Sequence, residues 1–129
     1  MVELRRVFCV EDDPDIRMLV QMALAKLGGL EVCLVESAEI AQQEAAAFKP
    51  DLFLLDVMLP GMTGLEFFQL TRQDPELAEV PAVLLTAKVS ADYPETWKQP
   101  GILGLIEKPF NPVNLASQLH TLFDASKQM

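Results

Sequence analysis

The sequence predicts an α/β fold: a parallel sheet of five strands, each followed by a helical segment. Three observations predict it. Five apolar runs of four to six residues recur: Val7 to Val10, Leu30 to Val35, Leu52 to Leu55, Ala82 to Leu85 and Ile102 to Ile106. They lack the polar alternation of a half-exposed strand, as strands buried on both faces should. Helical periodicity fills the intervals, and the connections are short enough for right-handed crossovers within one sheet.

Each helical segment has its own signals. Ile16, Leu19, Val20, Ala23 and Leu27 fall on one face of a first helix, with Pro14 in its opening turn and Gly28-Gly29 ending it. Ser37 is the expected N-cap of an Ala-rich second helix that stops before Lys49-Pro50. Thr63 and Glu66 have capping-box spacing ahead of Leu65, Phe68 and Leu70, and Asp74-Pro75 ends that third helix. Pro94 and Pro100 confine the fourth to a short or distorted element around Glu95 to Gln99. Asn111 caps the last and Pro112 opens it, ahead of Leu115, Leu119, Leu122 and Phe123.

A chain of 129 residues, half of them hydrophobic, suits one domain with a real core. Nineteen acidic residues against ten basic ones give a net charge of -9, so direct nucleic-acid partners and anionic membranes are not expected. No stretch has the form of a signal peptide or membrane span, and the expected location is the cytoplasm. Cys9 and Cys33 lie inside apolar runs without metal-ligand spacing and read as core residues rather than a disulfide. His120 has no partner acid at ligand spacing and receives no role.

The chemistry concentrates where strands end. The first run is followed by Glu11-Asp12-Asp13, the third by Asp56, the fourth by Thr86 and the fifth by Glu107-Lys108. In an open parallel sheet, ligands bind beyond the carboxyl ends of the strands, where strand order reverses. With order 2-1-3-4-5, Asp12 and Asp56 would face each other there, flanked by Thr86 and Lys108. Glu11, Asp12 and Asp56 would repel one another unless a cation joined them, and oxygen-only donors with room for water suit Mg2+, or Mn2+ in its place. A metal-screened Asp56 can attack phosphorus in line while Lys108 and Thr86 bond phosphoryl oxygens. The product is an aspartyl phosphate.

Taken singly, each residue has a plainer reading. Acids at a helix start cap amides and complement the dipole, which is the role given to Asp13 and Asp15. Asp56 before a Pro-Gly turn could form that turn, Thr86 could be an ordinary strand-end residue and Lys108 a solvated charge. Four strand ends carrying the four groups that one phosphoryl-transfer site needs outweigh those readings.

Val10-Glu11-Asp12-Asp13-Pro14-Asp15-Ile16-Arg17, the stretch from Asp51 through Asp56-Val57-Met58-Leu59-Pro60-Gly61 to Gly64, Leu84-Leu85-Thr86-Ala87-Lys88 and Glu107-Lys108-Pro109-Phe110 together resemble the receiver domain of bacterial two-component response regulators. The resemblance covers nearly the whole chain. It implies a (βα)5 flavodoxin-like three-layer sandwich with strand order 2-1-3-4-5. It implies Asp56 as phosphoacceptor, with Asp12, Asp56 and the Met58 backbone carbonyl as metal ligands and Glu11 acting through water. Thr86, Lys108 and the Ala87 backbone amide would bind phosphate, and the Lys108–Pro109 bond would be cis. The pattern departs in the short fourth helix and at Leu105, where receivers commonly carry an aromatic switch residue paired with Thr86. The phosphodonor, a sensor histidine kinase or histidine phosphotransfer domain, is placed by the resemblance on a face including Ile16, Arg17, Met18, Pro109 and Phe110.

The resulting expectation is a single receiver domain over residues 1–129 with no output domain. It would signal to a downstream protein and act as no enzyme beyond its own phosphorylation and dephosphorylation. Three rivals stand beside it. A degenerate receiver would bind partners without phosphorylation, a reading that Leu105 keeps open. An aspartyl-phosphate hydrolase usually carries a second Asp two residues after the nucleophile, where Met58 stands. A flavin mononucleotide carrier needs a Ser/Thr/Gly-rich loop, where Glu11-Asp12-Asp13 would repel the phosphate.

Overall fold

The structure, a computed structural model, describes residues 3–87 and 95–126. Each apolar run forms a strand: β1 (Arg6–Val10), β2 (Glu31–Val35), β3 (Leu52–Asp56), β4 (Ala82–Thr86) and β5 (Ile102–Glu107). They pair in parallel in the order β2-β1-β3-β4-β5, as expected. The central strands β1, β3 and β4 are buried almost throughout, which is why their sequences show no polar alternation.

The α-helices are α1 (Pro14–Val20), α2 (Ala38–Phe48), α3 (Gly64–Thr71) and α4 (Pro112–Ser126). Successive strand residues face opposite sides, so the sheet separates two cores. Val7, Cys9, Leu54, Val83 and Leu85 pack with Val20, Leu24, Leu115 and Leu119 from α1, its continuation and α4. Phe8, Val10, Phe53, Leu55 and Leu84 pack with Ala38, Ala41, Phe67 and Phe68 from α2 and α3. Cys9 lies in the first core and Cys33 packs against the second; both are free thiols, as read from the sequence.

The caps follow the sequence. Asp13 Oδ1 accepts from the Asp15 and Ile16 amides, and Ser37 Oγ accepts from Ile40. Thr63 and Glu66 complete a reciprocal capping box, and Asn111 Oδ1 accepts from Val113. Lys49 ends α2 in the left-handed conformation, φ +56°.

Two elements differ from expectation. Residues Gln21–Leu27 continue α1 as a π-helix, and its wider i to i+5 spacing rotates the later residues out of phase with a 3.6-residue pattern. Leu24 is therefore buried, whereas Leu27 is 59% exposed. Helix α3 ends at Thr71, ahead of Asp74, where the Arg72 guanidinium turns back to the carbonyls of Leu77 and Val80 and covers the Phe68 ring. The fourth helical segment agrees with expectation: among the described residues it is a short, distorted element, the 3-10 turn Glu95–Trp97. Tyr93, Pro94 and Lys88 lie outside the described residues.

Candidate functional site

The acid site is assembled from the carboxyl ends of β1, β3 and β5. Beyond β1, the Glu11 amide donates to the Val35 carbonyl at 3.1 Å, prolonging the pairing with β2 and burying the Glu11 side chain completely. Asp13 then turns into α1 as its cap and donates its own amide to Glu11 Oε2 at 3.1 Å. Asp56 closes β3 in the adjacent position, 3% exposed, and its Oδ1 accepts from the Met58 amide at 3.0 Å. Carboxylate oxygens of Glu11, Asp12 and Asp56 all lie within 4.8 Å of one another.

Lys108 reaches this cluster from the loop after β5. Its backbone amide donates to the Thr86 carbonyl at 2.7 Å, holding the loop to the end of β4. Its Nζ donates to Glu11 Oε1 at 2.9 Å and to Asp56 Oδ2 at 3.1 Å. The Lys108–Pro109 bond is cis, as the resemblance implied.

Burial pushes the Glu11 carboxyl up to about 7, and the nearby Asp56 adds to the rise; the hydrogen bonds from Lys108 and the Asp13 amide oppose it. Burial also works to lower the Lys108 ammonium, but its bonds to Glu11 and Asp56 outweigh that effect and hold it above its ordinary value. One ammonium stands against three carboxylates, all hard oxygen donors, and Asp12 opens to solvent. That donor set fits a small divalent cation that keeps part of its water shell, as Mg2+ or Mn2+ does.

The other expected site residues are distributed unevenly. Thr86, 4% exposed, closes β4 one residue beyond Leu85, the register partner of Asp56; Ala87 follows it, exposed, at the same end of the sheet. Leu105 is half-buried in β5 opposite Leu84 and packs against the second core, as does Trp97. On the expected partner face, Met18 is 71% exposed and Pro109 is exposed, whereas Ile16 packs against the first core. The Phe110 ring belongs to that core, 8% exposed, because the loop after Pro109 turns it inward ahead of α4. Arg17 also points inward: its Nη1 donates to the carbonyls of Glu11 and Asp12 at 2.8 and 3.0 Å.

Gly64 carries a requirement that sequence reasoning did not assign. A Cβ there would stand 2.2 Å from the Asp56 carbonyl oxygen, so only glycine lets the first turn of α3 abut the end of β3. Its position next to the Thr63 cap was the available signal. Gly61, at φ +74°, forms the turn between them, and the neighbouring Met62 amide donates to Glu39 Oε2 at 3.4 Å.

The chain is similar in sequence and fold to known proteins. The phosphate regulon transcriptional regulatory protein PhoB of Pseudomonas aeruginosa is 33% identical over 115 residues, covering 89% of this chain and 50% of that protein. The DNA-binding response regulator MtrA of Mycolicibacterium smegmatis is 30% identical over 115 residues, with 89% and 49% covered. The chain thus spans about half the length of the curated relatives it matches. Among solved structures, chemotaxis protein CheY4 of Vibrio cholerae superposes with a TM-score of 0.84 at 30% identity, covering 92% of this chain and 98% of that one. A putative response regulator from Chloroflexus aurantiacus gives 0.82 at 26% identity, with 95% and 99% covered. The expectation that nucleic acid is no partner finds no support in this company, since MtrA is named as DNA-binding. The charge of -9 describes this chain and not the further length of such relatives. A match of the response regulator receiver domain over residues 7–120 agrees with the fold, the relatives and the acid-lined strand ends: the chain belongs to that family and is a signalling receiver domain.

Proposed function

We propose that Asp56 accepts a phosphoryl group from a phosphohistidine, carried by a sensor histidine kinase or histidine phosphotransfer domain, and that the phosphorylated domain binds a downstream protein differently. The observation that carries this reading is Lys108, whose ammonium bridges Glu11 and Asp56 beside Asp12. An Asp56 carboxylate oxygen attacks phosphorus, the phosphorus–nitrogen bond breaks, and the imidazole leaves with that electron pair. Lys108 then exchanges a carboxylate contact for a phosphoryl oxygen, while the Thr86 hydroxyl and the Ala87 amide donate to the others.

Asp12, Asp56 and the Met58 carbonyl, with Glu11 through water, are the groups that would hold Mg2+ or Mn2+, whose charge screens Asp56 from the incoming phosphoryl. Met18 and Pro109 supply exposed contact surface for the donor beside this site. Thr86 relays the change with Leu105 in place of an aromatic ring. Turnover of outside esters is not part of this reading, because Met58 stands where a hydrolase usually places its general acid. The place of action is the cytoplasm; among the described residues no helix is long and apolar enough to cross a membrane.

The test is incubation with acetyl phosphate and Mg2+, followed by intact mass measurement. A single labile phosphoryl adduct, absent in Asp56→Asn and with EDTA, supports the reading. An unmodified wild-type protein contradicts it and favours a receiver that binds partners without phosphorylation.

A further inference from the structure

We infer that Arg17 is a positioning residue for metal binding, tying the main chain of Glu11 and Asp12 to α1 so that the Asp12 carboxylate stays facing Asp56. The inference rests on the proposed phosphoacceptor reading and deepens it.

The loop between β1 and α1 is only three residues long, Glu11 to Asp13, and its members are held unequally. Glu11 is fixed at its amide by Val35 and at its carboxylate by Lys108 and the Asp13 amide. Asp13 is fixed as the cap of α1, and its carbonyl accepts the Arg17 amide at 3.0 Å. Asp12 has neither kind of anchor. Among the described residues its one hydrogen bond is from Arg17 Nη1 to its carbonyl, at 3.0 Å, and the same nitrogen meets the Glu11 carbonyl at 2.8 Å. A single donor therefore joins the two peptide units from which both acids project. Groups that orient metal ligands in this way typically change metal affinity when removed.

Charge and positioning predict opposite signs. Arg17 is a cation beside an acidic cluster, so by Coulomb's law its removal should tighten binding of another cation. If its main task is to hold the Asp12 peptide, removal should weaken binding instead.

The experiment is Mg2+ titration by calorimetry of wild type, Arg17→Ala, Arg17→Met and Arg17→Lys, with thermal unfolding in EDTA alongside. The expected result is roughly tenfold weaker Mg2+ binding in Arg17→Ala, in line with such supporting groups. Arg17→Lys, which still offers a donor to the carbonyls, should recover part of it. In the acetyl phosphate reaction, the Mg2+ concentration for half-maximal rate should rise while the rate at saturating Mg2+ is retained. A purely structural role would lower the unfolding temperature and leave Mg2+ affinity unmoved, which overturns the inference. Unchanged or tighter binding in the folded variants overturns it too. Should Arg17→Ala not fold, Arg17→Met, neutral and without a donor, carries the same comparison of sign. A wild-type protein indifferent to Mg2+ refutes the underlying reading itself, and this inference with it; a responsive wild type whose variants bind Mg2+ as tightly refutes only the role of Arg17.

Discussion

The Lys108 ammonium stands 3.1 Å from Asp56 Oδ2, joining residues 52 positions apart across the mouth of the sheet. With its 2.9 Å bond to Glu11, it is the cation that makes two buried carboxylates tolerable in the absence of metal.

Lys108→Met should therefore destabilise the metal-free protein by about 2–3 kcal/mol near neutral pH, because it leaves buried negative charge uncompensated. Urea unfolding in EDTA measures this. Added Mg2+ should recover part of the loss by binding the folded state alone. Equal stability of variant and wild type would mean that the ion pair contributes nothing net.

The raised Glu11 carboxyl predicts a pH dependence of defined sign. Its folded value of about 7 lies above an unfolded value near 4.5, so the folded protein holds that proton more tightly. This contribution to stability is fully present below about pH 4.5 and is lost as pH rises through about 7. In EDTA, the wild type should thus lose unfolding temperature relative to Glu11→Gln over that window. Parallel profiles for the two proteins would show that Glu11 titrates normally.

Gly64→Ala should cost about 2 kcal/mol, within the range for overpacking, since its Cβ would meet the Asp56 carbonyl oxygen at 2.2 Å and force α3 away from β3. Because the displaced atom is on Asp56 itself, phosphoryl uptake should slow as well. Urea unfolding and the rate of adduct formation check the two effects separately.

Leu105 sits on β5 away from the acid cluster, so Leu105→Tyr should leave the rate of Asp56 phosphorylation within about twofold of wild type. Its effect should fall on the difference in partner affinity between phosphorylated and unphosphorylated protein. A large change in uptake rate would place Leu105 in the chemistry.

Much of this architecture is legible from local signals. Unbroken apolar runs mark the strands, and Ser37, the Thr63–Glu66 pair and Asn111-Pro112 mark helix starts because those side chains bond backbone amides within one turn. The site was legible for a related reason: parallel topology gathers strand ends, so Glu11, Asp12, Asp56 and Lys108 converge although they are remote in sequence. What escaped depends on tertiary context. Periodicity assumed 3.6 residues per turn, so it placed Leu27 inside, where the π-helical winding buries Leu24. Arg17 and Phe110 read as exposed face residues by position, yet the unsatisfied carbonyls of Glu11 and Asp12 draw the first inward and the core takes the second. No spacing rule reports an arginine that folds back over its own helix start.

The central claim is tested most directly by locating the modified atom. The protein is treated with acetyl phosphate and Mg2+, reduced with borohydride to convert any acyl phosphate to an alcohol, digested and sequenced by mass spectrometry. Reduction confined to the carboxyl of Asp56 is the predicted result; reduction at Asp12, Asp51 or another acid, with Asp56 intact, would contradict it.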